Sequence, residues 1–437
     1  MRRFIVSGLW FLVCSACIAG DADTSPRPQL IATLVKQLSS DDFDRRNSAM
    51  QELLKLGDAI APDLRDALSG SQDTEVRSRL EDILNKWRNG SIAWEFEAGY
   101  LFGIPVVDND RVFVANKDNY VYRLDARNGQ KVWQKLIDGL MYAHPVLHDN
   151  KLYVIRTNKD GHKDGTLFCL NADTGETIWT EFFDSQNFTG PLAAEGRLYF
   201  TSEENVYCLD PATGKRLWIF NGPDLMVSAP SVAEGKLLVG NLDKNLYCLD
   251  AKTGAKHWSF ETGGTVSGGA AISSGKVYAS SRDGNVYCLN LADGSKNWMF
   301  ETSSPVYAAP AVANGRVFTG GDNGLFYCLD AASGKERWKF ETGGTIYGSP
   351  SVACGQVFVG SINNKLTLYC LDAEDATKCW TFETKEAGYT HPVLTGRRLY
   401  IGYHSKFWSV RTGLNAPPSW TMVCGNPART GSNAPAQ

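Results

Sequence analysis

The chain has 437 residues, 43% of them hydrophobic and 21% charged, with 42 glycines and a formal net charge of −4. That balance excludes a disordered chain, and with no basic excess it excludes the electrostatic footprint of a nucleic-acid binder. Length alone allows several domains, so a single large fold has to rest on internal order.

The chain opens Met1-Arg2-Arg3, continues with an apolar run from Phe4 to Ile18, and turns acidic at Asp21-Ala22-Asp23. This predicts a signal peptide over residues 1–19: the run is short for a bilayer span and its far side is acidic. Two exits fit it. One is cleavage after Ala19; the other is lipidation of Cys17, because Ser15-Ala16-Cys17 resembles the end of a lipobox, with Cys14 where leucine is usual. Either way the mature chain is extracytoplasmic, periplasmic or attached to the outer membrane or secreted. Loss of Arg2 and Arg3 with no acid moves the net charge from −4 to −6.

Residues 28–88 carry helical periodicity. Phe43, Met50, Leu53 and Leu54 fall on or near one face of a helix within Asp41 to Leu56, with Ser39-Ser40-Asp41-Asp42 as N-cap candidates and Gly57 as a stop. Further helices are expected at residues 29–38, 59–68 and 74–87. The segment "DDFDRRNSAMQELLKLGDAIAPDLRDAL", with Arg45 and Arg46 in one helix and Pro62 opening the next, resembles a HEAT-like helical repeat. Such a piece serves as a cap or interaction arm, or as a solvated spacer. It has fewer units than solenoids need to stand alone.

From residue 92 the chain repeats. Trp94, Trp133, Trp179, Trp218, Trp258, Trp298, Trp338 and Trp380 are 39, 46, 39, 40, 40, 40 and 42 residues apart. Within one period lie four strand-length apolar runs and turns such as 283–285 (Asp-Gly-Asn) and 322–324 (Asp-Asn-Gly), which tolerate positive φ. This predicts an all-β, eight-bladed propeller of four-stranded antiparallel blades over residues 92–431, followed by a disordered tail over 432–437.

The most specific pattern is the linker into each tryptophan: "CLDAKTGAKHW" (248–258), "CLDPATGKRLW" (208–218), "CLDAASGKERW" (328–338) and "CLNADTGETIW" (169–179). Glycine offers flat backbone for an indole, and Asp or Asn can hold the turn through backbone N–H groups. The linkers resemble the tryptophan-docking motif of the PQQ-repeat, quinoprotein alcohol dehydrogenase-like propellers, with Cys where that family has Ala. The resemblance implies that all eight tryptophans staple blade to blade. The seventh linker has Ala376 in place of Gly, so a looser staple is expected there.

Nine Trp segments serve eight inner-strand sets, because Trp420 adds one more. Closure through Ile92–Glu97 and closure through Trp420 both remain open, and the N-terminal strand is the favoured one.

The family includes dehydrogenases holding PQQ and Ca²⁺, which need several oxygen ligands and a carboxylate base. The loops leading into the first strands offer few carboxylates, Asp138, Asp224 and Glu386, with no Arg, no Lys and no adjacent Cys pair. No cofactor, metal or catalytic residue is therefore expected, and a PQQ/Ca-dependent quinoprotein dehydrogenase is the alternative.

Those same loops place Phe102, Tyr142, Phe188, Val227, Ser267, Tyr307, Tyr347 and Tyr389 three residues before the proline position, with His144 and His391 directly before it. The aromatic and histidine members form a candidate ring at the axial mouth for a peptide or small apolar ligand; packing between blades is the alternative. The insertion at 156–165, with Asp160, His162 and Asp164, lacks EF-hand spacing and is expected to be a solvated loop.

Six cysteines, at 169, 208, 248, 288, 328 and 370, share one repeat position and are expected to be small buried side chains, leaving any disulfide among Cys354, Cys379 and Cys424. Among non-enzymatic members the plan resembles that of the outer-membrane protein assembly branch, with its leader, candidate lipid on an early Cys and single eight-bladed propeller. It implies a binding scaffold, monomeric on its own, with protein partners in the cell envelope.

Overall fold

The computed structural model describes residues 27–56, 60–87, 89–101, 104–116, 118–141, 143–157, 164–185, 188–385, 391–414 and 421–422. The leader with Cys17, and also Phe102, Tyr142, Tyr389, Glu386, Trp420, Cys424, Asp160 and His162, lie outside them. Contacts divide the chain into two compact units, Met1–Arg88 and Asn89–Gln437.

The first unit holds four helices, α1 (Arg27–Gln37), α2 (Phe43–Leu56), α3 (Ala61–Gly70) and α4 (Thr74–Lys86). Asp42 accepts the N–H of Asp44 at the start of α2, and Asp73 caps α4 through Glu75 and Val76. Helix α1 packs on α2 and α3 on α4, and the two hairpins share a core that includes Leu38, Leu53, Leu64, Leu80 and Ile83. No described helix is long and apolar enough to cross a membrane.

The second unit is an eight-bladed propeller, each blade a four-stranded antiparallel sheet. Blade 4 is representative, with strands Ser231–Ala233, Lys236–Gly240, Asn245–Asp250 and Lys256–Glu261 in that order. The first strands of successive blades contact one another around the axis, and the first strand of blade 8 (Val393–Thr395) meets that of blade 1 (Val106–Asp108). The two middle strands are buried on both faces because a neighbouring blade covers each side, which explains their unbroken apolar runs. The six repeated cysteines lie here, all fully buried, and burial pushes the Cys169 and Cys208 thiols up to about 11.

Ring closure uses both ends of the chain. Strand Ile92–Leu101 pairs with Arg398–Arg411 as the outermost strand of blade 8, and Thr421–Met422 pairs with the innermost strand, Val393–Thr395. The N-terminal strand thus closes the ring, and part of the extra Trp segment lines the inner side of the same blade.

The tryptophans are set at the joints. Trp94 Nε1 donates to the Ala126 carbonyl of the next blade at 2.8 Å, and Trp133, Trp218, Trp258, Trp298 and Trp338 make the equivalent bond to residues 172, 251, 291, 331 and 373 at 3.1–3.2 Å. Trp179 and Trp380 bury Nε1 without a partner. At the Trp179 joint the next linker carries Pro211, whose carbonyl accepts the Tyr153 hydroxyl at 2.8 Å. Seven of the eight indoles lie on the linker glycine of the following blade; Trp338 meets the linker that has Ala376 instead. Gly254, at φ +75°, sits so close under Trp218 that an added Cβ would come within 2.6 Å of Cε3.

Trp380 lies on Gly90, at φ +78°, whose N–H bonds the Arg411 carbonyl at 2.7 Å. Gly90 stands four residues before Trp94, so the eighth linker is assembled from the two ends of the repeat region. At the seventh joint Trp338 keeps its hydrogen bond at 3.2 Å. The departure there is in the backbone, where Ala376 itself adopts φ +64°.

The linker acids hold the turns. Asp250 accepts from the Thr253 hydroxyl at 2.8 Å, the Thr253 N–H at 2.7 Å and the Lys252 N–H at 3.0 Å, which keeps its carboxyl below the usual range. A depressed folded value means stabilisation that is present above the unfolded pKa of about 3.9 and is lost as pH falls through the folded value. Asn171 and Asn290 hold the same turn in blades 2 and 5. Asp250→Asn is therefore expected to fold normally and to flatten the acid side of a stability–pH curve. A denaturant midpoint that falls as steeply below pH 4 as in the parent would refute this.

Candidate functional site

Strand direction sorts the connections onto two faces. Loops into the first strands share one face with the hairpins between the middle strands, as the Thr262 N–H to Lys244 carbonyl bond illustrates. The short turns after the first strands and the Trp linkers occupy the other face. There an open groove of about 610 Å³ lies between blades 5 and 6, lined in part by Lys276, Tyr278, Asn314, Asp330 and Arg337.

On the first face the described members of the aromatic column separate into two groups. Phe188 turns into its own blade, 6.0 Å from Phe183 and 5.9 Å from Phe200 between ring centroids, and packs on that core. Tyr307 and Tyr347 belong to loops of adjacent blades and meet across the joint at 5.0 Å, both half-buried. Exposed Arg282, from the hairpin of blade 5, lies 5.0 Å from the Tyr307 ring, with Nε 3.4 Å from the Ser267 hydroxyl. Three blades thus contribute to one strip of guanidinium and phenol rings. Val227 donates its N–H to the Gly240 carbonyl, and this loop runs alongside its own blade.

The two histidines follow two residues later, directly before the proline positions. His144 lies against Gly190 of the next blade so closely that any Cβ there would overlap its ring. His391 Nδ1 accepts the Ser349 N–H at 3.1 Å, and the Ser349 hydroxyl accepts the Ala309 N–H at 3.0 Å. A hydrogen-bonded chain therefore runs through the loops of blades 6, 7 and 8, and the His391 Nδ1 acceptor role assigns the ring proton to Nε2.

A site for PQQ and Ca²⁺ needs converging carboxylates. Asp138 and Asp224, the described ones in these loops, are exposed on the approaches to blades 2 and 4, and Asp224 accepts the Leu225 N–H. Among the described residues no three His, Cys, Asp or Glu side chains gather as metal ligands. This donor set does not fit the quinone and its cation.

One feature of the outer wall escaped the sequence reading. Immediately before and three residues after the Trp, blades 1 and 2 expose Val132, Leu136, Ile178 and Phe182, and blade 3 exposes Leu217 and, one after its Trp, Ile219. Phe182 is 63% and Leu136 60% accessible. Blades 4 to 8 end the same strand in exposed Glu261, Glu301, Glu341, Glu383 and Glu97. The exposed apolar residues of the outer strand thus concentrate on blades 1 to 3, with Met299 of blade 5 and Ile92 of blade 8 as single outliers, while blades 4 to 8 each carry a carboxylate three residues after the Trp. Arg216 ties the apolar blades together, bonding Glu181 at 2.9 Å and the Phe182 carbonyl while lying 4.6 Å from the Phe183 ring.

No curated protein matches the chain. Three similar solved structures are BamB from Moraxella catarrhalis, a quinohemoprotein alcohol dehydrogenase from Pseudomonas putida, and Sqt1 from Saccharomyces cerevisiae. The first has 15% identity and TM-score 0.63, covering 74% of this chain and 99% of that one. The dehydrogenase has 12% identity and TM-score 0.59, covering 75% and 77%. Sqt1 has 11% identity and TM-score 0.63, covering 75% and 100%. At such identities these structures share the fold, and an enzyme stands among them beside proteins with other names. A family profile described as outer membrane protein assembly factor BamB matches residues 76–144, 137–224, 202–309 and 301–413. With that profile running across well over half of its length and eight blades joined by the repeated linker, the chain belongs to this PQQ-repeat family.

Proposed function

We propose that the protein is an exported, non-enzymatic scaffold of the cell envelope that binds protein partners, acting in outer-membrane protein assembly or envelope biogenesis. The observation that carries the reading is the apolar sector on the outer strands of blades 1 to 3. Contiguous exposed apolar surface on a folded protein marks an interaction site, and an outer strand presents backbone donors and acceptors to which an extended partner segment can add. The Arg282–Tyr307–Tyr347 strip is a second, smaller contact on the loop face. Family membership supports an envelope setting, with the leader directing export and Cys17 or cleavage after Ala19 deciding anchorage.

The test exploits the repeat. Leu136→Glu with Phe182→Glu gives blades 1 and 2 the carboxylate that blades 4 to 8 already carry, so folding is retained. Crosslinking in native membranes is expected to capture partners with the parent and to lose them with the double variant. Identical partner sets would sink the reading. The quinoprotein alternative is checked by adding PQQ and Ca²⁺ and following absorbance and dye reduction, where tight stoichiometric uptake would overturn the scaffold.

A further inference from the structure

Blade 7 departs from its neighbours at three positions, two of which, Gln356 and Cys379, meet. Its second strand begins with Gln356, whereas the other seven begin with Arg111, Lys151, Arg197, Lys236, Lys276, Arg316 and Arg398. Its linker has Ala376 for Gly. Its last strand has Cys379 where the other blades carry Ala93, Val132, Ile178, Leu217, His257, Asn297 or Arg337.

The register explains why the extra thiol matters. Cys370 pairs with Trp380 and Leu371 with Lys378, so Cys379 is the additional residue of a β-bulge and faces the pair opposite. Gln356 touches both sulfurs: its Oε1 accepts from Cys370 Sγ at 3.1 Å and its Nε2 points at Cys379 Sγ at 3.9 Å. Both cysteine side chains thus converge on the one amide of Gln356. Cys370 is fully buried, whereas Cys379 is exposed. Both are thiols in this structure, as is Cys354.

We propose that Cys370 and Cys379 form a reversible disulfide that clamps the linker of blade 7, where the usual glycine is missing. The accessible Cys379 thiolate attacks a low-molecular-weight disulfide, forming a mixed disulfide and releasing one thiolate. Cys370, after giving its proton to solvent, attacks Cys379 Sγ and releases the second thiolate. Two protein thiols are oxidised and one external disulfide is reduced to two thiols. Replacing the usual cation by Gln356 leaves a neutral amide that accommodates either state. The sequence pointed to Cys354, Cys379 and Cys424 because a repeated cysteine reads as core; the bulge brings Cys379 to a member of that repeated set instead.

Tryptic cleavage after Lys378 separates the two cysteines, into peptides 366–378 and 379–385. Folded full-length protein is incubated with oxidised glutathione, denatured directly into excess alkylating reagent so that every remaining thiol is capped, and digested without reductant. The expected result is those two peptides joined, released by reductant, and no joined species from Cys379→Ser. Recovery of both peptides alkylated would overturn the proposal, as would Cys379 linked to Cys354 or Cys424.

Discussion

Deleting residues 89–101 is expected to abolish the single cooperative melt of the propeller. The deletion removes the outermost strand of blade 8, the Trp94 bond to Ala126 and the Gly90 seat beneath Trp380. Truncating one buried tryptophan costs about 3–5 kcal/mol, and a whole domain is commonly stable by only about 5–15 kcal/mol. Losing the indole together with a paired strand and the joint it closes therefore approaches the total. A chain beginning at Asn89 keeps every one of these contacts and is the control. Calorimetry or circular dichroism on heating reads the result, and an unchanged sharp transition in the deleted chain would show that closure contributes little.

The second large effect comes from exchanging glycine and alanine at equivalent joints, with opposite signs. Gly254→Ala forces a side chain into left-handed backbone, at about 1–2 kcal/mol, and drives a methyl into the Trp218 indole, at about 1–3 kcal/mol more. The expected loss is about 2–5 kcal/mol. Ala376→Gly relieves left-handed strain and gives back part of it in chain entropy, leaving a gain of about 0.5–1 kcal/mol. Denaturant midpoints of the two variants should move apart from the parent. Movement in the same direction would mean that the Trp–Gly seat is not what holds the blades.

The blade count and the four-stranded unit were legible because a tryptophan every forty or so residues is tied to one backbone shape, and that shape needs glycine and Asp or Asn at fixed offsets. The eighth seat was harder to see. Its glycine, Gly90, precedes the first tryptophan, and the residue that bonds it, Arg411, lies at the far end of the repeats. The aromatic column was read as a ring at the axial mouth, yet identity alone does not say which way a ring turns. Phe188 points into its blade and Tyr307 across a joint, because the hairpin above each loop differs: Ser202 lies beside one and Arg282 over the other. The apolar sector was present in plain letters, as Leu136 and Phe182 against a run of glutamates. It stands out only once the outer strand is known to be an edge, since the same residues on a middle strand would be ordinary core.

The pairing of Trp94 with Ser409 has a bearing on timing. The first strand to leave the ribosome has its partner more than three hundred residues later, so the ring cannot shut until nearly the whole polypeptide has been made. A prematurely terminated chain would keep the N-terminal strand unpaired and its indole without a wall, an open horseshoe with exposed sheet edges that proteases can attack. Joining first to last thus makes completeness of synthesis a condition for survival of the folded protein.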